Sequence, residues 1–255
     1  MRPYVLTIAG FDPSAGAGVL ADIKTFENHH VYGLAVNTCT TYQNEDEFVG
    51  LNWIGIDKIK RQIDILFAKY EINFVKVGLV ISLPILEEII GHIKQYNKKC
   101  FIIWDPIIKS GSGFEIHKNM EQDKLLTVCE KLSLITPNLP EMEFLFPKLE
   151  AMDGAHYLSY YVPALLKGGH SDGDPIDFLY QKGRKIEIYQ VDRIENMDKH
   201  GTGCVLSAAI LANLALGYNL EKSCRAAKKY VTSFIISNTS RLGYHLKDYH
   251  LTIAN

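Results

Sequence analysis

The feature that most limits how this chain can fold is its rhythm. Short apolar runs of strand length alternate with segments of helix length over most of its 255 residues. Residues 4–9, 34–41, 74–77, 101–104, 134–136 and 164–166 read as strands. Residues 19–29, 57–70, 84–96, 124–132 and 141–146 read as the helices between and after them. In 57–70 the apolar positions Ile59, Ile63, Leu66 and Phe67 recur at helical spacing. Pro84 stands where a helix begins and proline is tolerated. Residues 176–180 and 185–191 have the pattern of a hairpin, and helices from Gly203 and over 221–237 complete the core. Strands alternating with helices predict βαβ units and a mostly parallel sheet covered on both faces. The length suits one such domain spanning residues 1–255.

Composition narrows the classes of function. The formal charge is −2, which gives no footprint for nucleic acid. The five cysteines (Cys39, Cys100, Cys129, Cys204 and Cys224) form no C-x-x-C pair. Their odd number argues against a disulfide framework or a structural zinc site and fits a reducing, cytoplasmic compartment. The chain opens directly on a strand-like run with no signal-peptide pattern. The most apolar stretch, after Cys204, is rich in Ala and Ser, contains Asn213 and stops at Gly217; it reads as core and not as a membrane span.

In sheets of this kind ligands bind beyond the carboxyl ends of the strands. The predicted strands end there on polar or glycine residues: Gly10 to Asp12, Thr41 to Gln43, Lys76 and Gly78, Asp105, Asn138 to Glu141, and Lys167. The loop Gly10-Phe11-Asp12-Pro13-Ser14-Ala15-Gly16-Ala17-Gly18 lets backbone approach a ligand closely. No Lys-Ser/Thr pair follows it, so it is not a Walker A loop. Gly16 to Ala21 matches G-x-G-x-x-A. However, the first glycine lies too far past the strand, and Val36-Asn37-Thr38 stand where a dinucleotide fold needs an acidic residue. Asp105, with Glu141 one strand further on, offers oxygen ligands for a hard cation such as Mg2+, which takes one or two carboxylates plus phosphates and water; each also suits a turn or a helix start. Lys167-Gly168-Gly169-His170 places a cation after a strand, where it balances phosphate charge or simply precedes a turn.

His200-Gly201-Thr202-Gly203-Cys204 leads from polar sequence into an almost wholly apolar helix. Unpaired N–H groups and the dipole at such a start suit a phosphate or a developing anion. A thiol there is expected to have a lowered pKa. The simpler alternative is that Thr202 caps a core helix and Cys204 is a small buried hydrophobe.

Taken in order, these segments resemble the ribokinase-like superfamily and, within it, the hydroxymethylpyrimidine/phosphomethylpyrimidine kinases of thiamine synthesis. The residues that carry the resemblance include Leu6-Thr7-Ile8-Ala9-Gly10, Asp12-Pro13-Ser14, Gly16-Ala17-Gly18, Ala21 to Phe26, Gln43-Asn44, Lys76-Val77-Gly78, Asp105-Pro106, Lys109-Ser110-Gly111, Ile135 to Glu141, Lys167 to His170 and His200 to Cys204. The resemblance implies a three-layer α/β/α fold and transfer of phosphate from ATP with Mg2+, with a monovalent cation as a further candidate. The acceptor it implies is the hydroxymethyl group of an aminopyrimidine, and then the monophosphate. It assigns Gly10, Asp12, Asp22, Gln43 and Gly78 to the acceptor, and Asn138, Lys167, Gly169 and His200 to ATP and phosphate. Asp105 and Glu141 fall to the metal, Gly201, Thr202 and Gly203 to the anion hole, and Cys204 to the hydroxyl proton. A homodimer is the family expectation. The segments after Asp105-Pro106 and between Glu141 and Lys167 are shorter than the family pattern.

Three alternatives stand beside this reading. A pyridoxal or pyridoxine kinase of vitamin B6 salvage shares the glycine–cysteine turn, and Gln43, with paired donor and acceptor, favours the pyrimidine. A dinucleotide-dependent oxidoreductase rests on Gly16 to Ala21 alone. A non-catalytic binder has no need of Asp105, Lys167 and Cys204 together.

Overall fold

The computed structural model describes residues 1–109, 116–117, 120–168, 176–190 (backbone only over 187–190) and 198–246. Among these residues nine strands form one sheet in the order β3-β2-β1-β4-β5-β6-β7-β8-β9. β1 (Tyr4–Phe11) lies between β2 (Tyr32–Gln43) and β4 (Ile72–Val77), parallel to both. β5 (Phe101–Trp104), β6 (Leu134–Ile135) and β7 (Ala164–Leu166) extend the parallel part. Antiparallel strands close the two sides: β3 (Phe48–Trp53) beside β2, and the hairpin of β8 (Ile176–Gln181) and β9 (Arg184–Gln190) beside β7.

The inner strands are apolar on both faces because helices cover both. Alternate residues belong to opposite cores, as the two-residue period of a strand requires. Val5, Ile103, Leu134 and Leu165 face one layer; Leu6, Ile102, Trp104, Ile135 and Leu166 face the other. The first layer is built from α1 (Gly18–Asn28), α7 (Thr202–Ala215) and α8 (Leu220–Ile235). The second contains α2 (Ile56–Lys69), α3 (Leu83–Tyr96), α4 (Gln122–Cys129), α5 (Leu139–Leu145) and α6 (Ala151–Leu158). The fold is the three-layer arrangement that the alternation predicts.

Two elements escape the sequence reading. β3 is a partly exposed antiparallel strand with no strong apolar alternation. α6 buries Ala151, Gly154, Ala155 and Leu158 at helical spacing, but three of the four are too small to signal a helix. The hairpin stands as expected, although Val191 lies outside the described residues.

α7 positions the site. It is buried all round from Cys204 to Leu214 and packs against α1, α8, β1 and β4. It therefore lies over the place where the strand order turns back. From β1 the chain goes to β2 on one side and later returns to β4 on the other. Such a switch point opens a crevice at the carboxyl ends of the two strands. Gly10 and Gly78 stand at those ends, and a side chain on Gly78 would press on Ala9.

Leu86 on α3 is fully buried in the second core. Leu86→Ala is expected to cost about 2–5 kcal/mol, seen as a lower urea midpoint at an unchanged m value.

Candidate active site

The start of α7 is made by backbone conformation and not by a capping side chain. Gly201 takes the left-handed region (φ 79°) as N-cap, and no side chain caps the helix. Thr202 is the first helical residue, so the capping role considered for it does not hold. The first helical bond runs from Val205 N–H to Gly201 C=O, at 2.9 Å. The N–H groups of Thr202, Gly203 and Cys204 have no protein acceptor among the described residues.

Two glycines let this turn dock on the Gly10 loop. A side chain on Gly16 would strike the His200 ring, and one on Gly201 would strike the Gly16 carbonyl. Asp12 organises the contact. Its Oδ1 accepts from Ser14 N–H (2.9 Å), and its Oδ2 accepts from Ala17 N–H and pairs with His200 Nε2, both at 2.8 Å. Burial pushes the Asp12 carboxyl up, but His200, Ser14 and Ala17 together hold it below the usual range. From behind, Arg241 C=O accepts the His200 N–H, and Lys199 Nζ donates to the carbonyls of Asn238 and Ser240. Both Asp12 oxygens are thus committed within the loop, and His200 points to Asp12. The pair of Asp12 and His200 thus holds the Gly10 loop against the start of α7.

On the other side of α7, Lys167 follows β7. Its Nζ lies 2.9 Å from Asp105 Oδ1 and 3.5 Å from Glu141 Oε2. It also lies 3.4 Å from where a side-chain carbon on Gly203 would stand, so the ammonium reaches the α7 turn. A parallel bridge to Asn138 and a bond from Lys167 N–H to Pro137 C=O (2.9 Å) fix its backbone. Burial alone would lower the Lys167 pKa; Asp105 and Glu141 raise it, and the side chain is a firm cation.

Asp105 sits beneath. Its Oδ1 also accepts from Thr136 Oγ1 (2.9 Å) and its Oδ2 from Ser207 Oγ of α7 (3.0 Å). Burial pushes this carboxyl up, but Lys167 and Lys76 outweigh it and keep it below the usual range. Asp105 is 1% exposed, and both of its oxygens take protein donors. Among the described residues no group of three or more His, Cys, Asp or Glu side chains is placed to hold a metal. Glu141 differs. It forms a capping box with Asn138: Asn138 N–H donates to Glu141 Oε2 (2.7 Å) and Glu141 N–H to Asn138 Oδ1 (2.8 Å). Glu141 Oε1 and Asn138 Nδ2 take no hydrogen bond among the described residues. One free carboxylate oxygen fits a Mg2+ held mainly by phosphates and water.

The acceptor side is mixed. Gln43, at the carboxyl end of β2, is half-buried, and its amide has no protein partner among the described residues. Asp22 is fully buried; its oxygens accept from Lys76 Nζ and Thr7 Oγ1, each at 2.5 Å. Each oxygen already takes one protein donor, so Asp22 is tied into the protein framework next to the crevice. Cys204 departs from expectation: burial pushes the thiol up to about 11, and Lys76 only partly opposes this. Gly169 and His170, like Ser110 and Gly111, lie outside the described residues.

Sequence reasoning missed Thr136, Ser207 and the role of Lys76. Ser207 carried a signal, being a hydroxyl three residues after Cys204 in a run of apolar side chains.

A fold with a crevice at the switch point, a buried lysine and a bare helix start is that of a phosphate-transferring α/β/α enzyme. Solved structures agree. A phosphomethylpyrimidine kinase from Clostridium difficile matches with TM-score 0.76 and 32% identity over 91% of this chain and 99% of its own. An ADP complex of Bacillus subtilis pyridoxal kinase matches with TM-score 0.80 and 26% identity over 93% of each. The profile of the phosphomethylpyrimidine kinase family covers residues 12–250. A hydroxymethylpyrimidine/phosphomethylpyrimidine kinase of Aquifex aeolicus is 36% identical over 96% of this chain and 99% of its own length. The chain belongs to the phosphomethylpyrimidine kinase family.

Burial pushes the Glu141 carboxyl up to about 7, although Lys167 opposes this. A carboxyl whose folded value lies above its unfolded value binds its proton more tightly when folded. The stability this contributes is present at low pH and lost as pH rises from the ordinary glutamate range through about 7. Glu141→Gln keeps the capping acceptor and removes the titration. Its unfolding free energy is therefore expected to fall less than that of the wild type between acid and neutral pH, as measured by denaturant titrations across that range.

Proposed function

We propose that this chain transfers phosphate from ATP to the hydroxymethyl group of 4-amino-5-hydroxymethyl-2-methylpyrimidine and then to the resulting monophosphate, giving the diphosphate. The observation that carries the reading is the meeting of a buried cation, three unpaired helix-start amides and one thiol at the switch point of a chain from this family. Phosphoryl transfer asks mainly for positioning and for stabilisation of charge on the transferred group.

Each residue then has one task. The N–H groups of Thr202, Gly203 and Cys204 receive the charge that develops on the γ-phosphoryl oxygens. Lys167 faces the same charge and is held in place by Asp105, so little reorganisation is needed. Asn138 Nδ2 and Glu141 Oε1 lie free beside it for the nucleotide phosphates and their metal. Mg2+, when bound there, neutralises phosphate charge, with Glu141 as its protein carboxylate. Gln43 offers a donor and an acceptor to the aminopyrimidine edge, while the Gly10 loop and Gly78 allow the ring to approach backbone. Cys204 orients the acceptor hydroxyl and takes its proton as the phosphorus–oxygen bond forms. Only the thiolate form can take that proton and become the thiol, so the step runs through the deprotonated fraction of Cys204, and in a loose transition state the transfer comes late. ATP as donor is supported by the ADP complex of the B. subtilis relative.

The test is product identification by mass after incubation with Mg-ATP and, separately, the hydroxymethylpyrimidine, its monophosphate and pyridoxal. Phosphorylation of both pyrimidines is expected. Pyridoxal phosphate as the main product would overturn the acceptor assignment, and no ATP use with any of them would overturn the reading. A second expectation concerns Cys204→Ala. It should lower kcat by about 10²–10⁴-fold and leave the KM for the acceptor nearly unchanged. A retained kcat would remove Cys204 from proton transfer.

A further inference from the structure

One charged pair has no place in the scheme above. Lys76, at the end of β4, and Asp22, in α1, are both fully buried. The Lys76 ammonium donates to Asp22 Oδ1 at 2.5 Å and to the Cys204 carbonyl at 3.3 Å. Thr7 Oγ1 holds the other Asp22 oxygen. The cation thus lies against the first turn of α7. A buried ion pair is a poor way to gain stability, because removing two charges from water costs about as much as their attraction returns. Apolar side chains of the same volume would serve the core as well.

We propose that Lys76 is a positioning residue that acts through Cys204: its ammonium, fixed by Asp22, is the built-in counter-cation of the Cys204 thiolate. The inference rests on the reading of Cys204 as the group facing the acceptor hydroxyl. The surroundings of the thiol agree with it. Lys76 from β4 and Asp22 from α1 face it with opposite charge, as do Lys167 and Asp105, and the Gly18 N–H donates to the sulfur. Burial pushes the thiol up, and Lys76 is the largest influence in the other direction, ahead of the opposing effect of Asp22. Reciprocally, burial favours neutral Lys76, while Asp22 and then Cys204 keep it charged.

The experiment follows thiol ionisation without substrate, so it stands apart from the choice of acceptor. The full chain is alkylated with iodoacetamide across a range of pH, and modification of Cys204 is located by peptide mass. Cys204 is 7% exposed, more than any of the other four cysteines. Wild type is compared with Lys76→Met and with the neutral pair Asp22→Asn/Lys76→Met, and ADP binding reports the intact fold. In Lys76→Met the alkylation midpoint should move up by about one pH unit, which is about tenfold in rate on the rising limb. The double variant should fall between it and wild type, because an opposing anion has gone as well. The pH dependence of kcat should move in the same order, with the KM for ATP unchanged. A double variant that binds ADP and alkylates with the wild-type pH profile would overturn the proposal. Loss of ADP binding in both variants would also overturn it, in favour of a purely structural pair. If no acceptor is ever phosphorylated, the order of the alkylation midpoints still decides the role of Lys76.

Discussion

The carboxylate of Asp105 is the interaction on which the rest of the site depends. It is buried at the end of β5 and takes donors from three other places: Thr136 after β6, Lys167 after β7 and Ser207 inside α7. A buried charge must be paired and hydrogen-bonded to persist. Here the same bonds that satisfy it also pin the ends of two strands and the first turns of α7 to one point. Lys167 is therefore a fixed cation and not a mobile one. Preorganised charge of this kind is what stabilises a transition state without reorganisation. The cost of burying so much charge falls on the two cores of the fold.

Much of this was legible in the sequence, for a definite reason. Apolar alternation reports burial on the faces of a sheet, so the three layers could be read from residues 4–9, 101–104 and 205–216 alone. The polar endings of the strands pointed to one edge because parallel strands share an edge. What could not be read was the direction of each polar side chain once there. Asp12 and Asp22 stand in a glycine loop and on the helix after it, where a ligand contact is the natural expectation. Each also pairs within the protein, and their partners His200 and Lys76 lie 188 and 54 residues away. No local pattern carries that pairing.

Cys204 shows the same limit in electrostatic form. From sequence, a thiol at a helix start reads as acidic, because dipole and amides favour the thiolate. The structure adds what sequence cannot: the thiol is buried, and loss of water together with Asp22 and Asp105 pushes it up while Lys76 opposes them. α6 and β3 were missed for a simpler reason. One packs with small side chains and the other lies at an exposed side of the sheet, so neither has an apolar rhythm to detect.

The contact between Gly16 and Gly201 has a consequence for how two substrates meet. These residues belong to the loop before α1 and the turn before α7, and they pack so closely that neither can shift without the other. A molecule that displaces the first loop must therefore also act on the second. Whatever coupling joins the two substrates through this contact is, by linkage, equal in both directions.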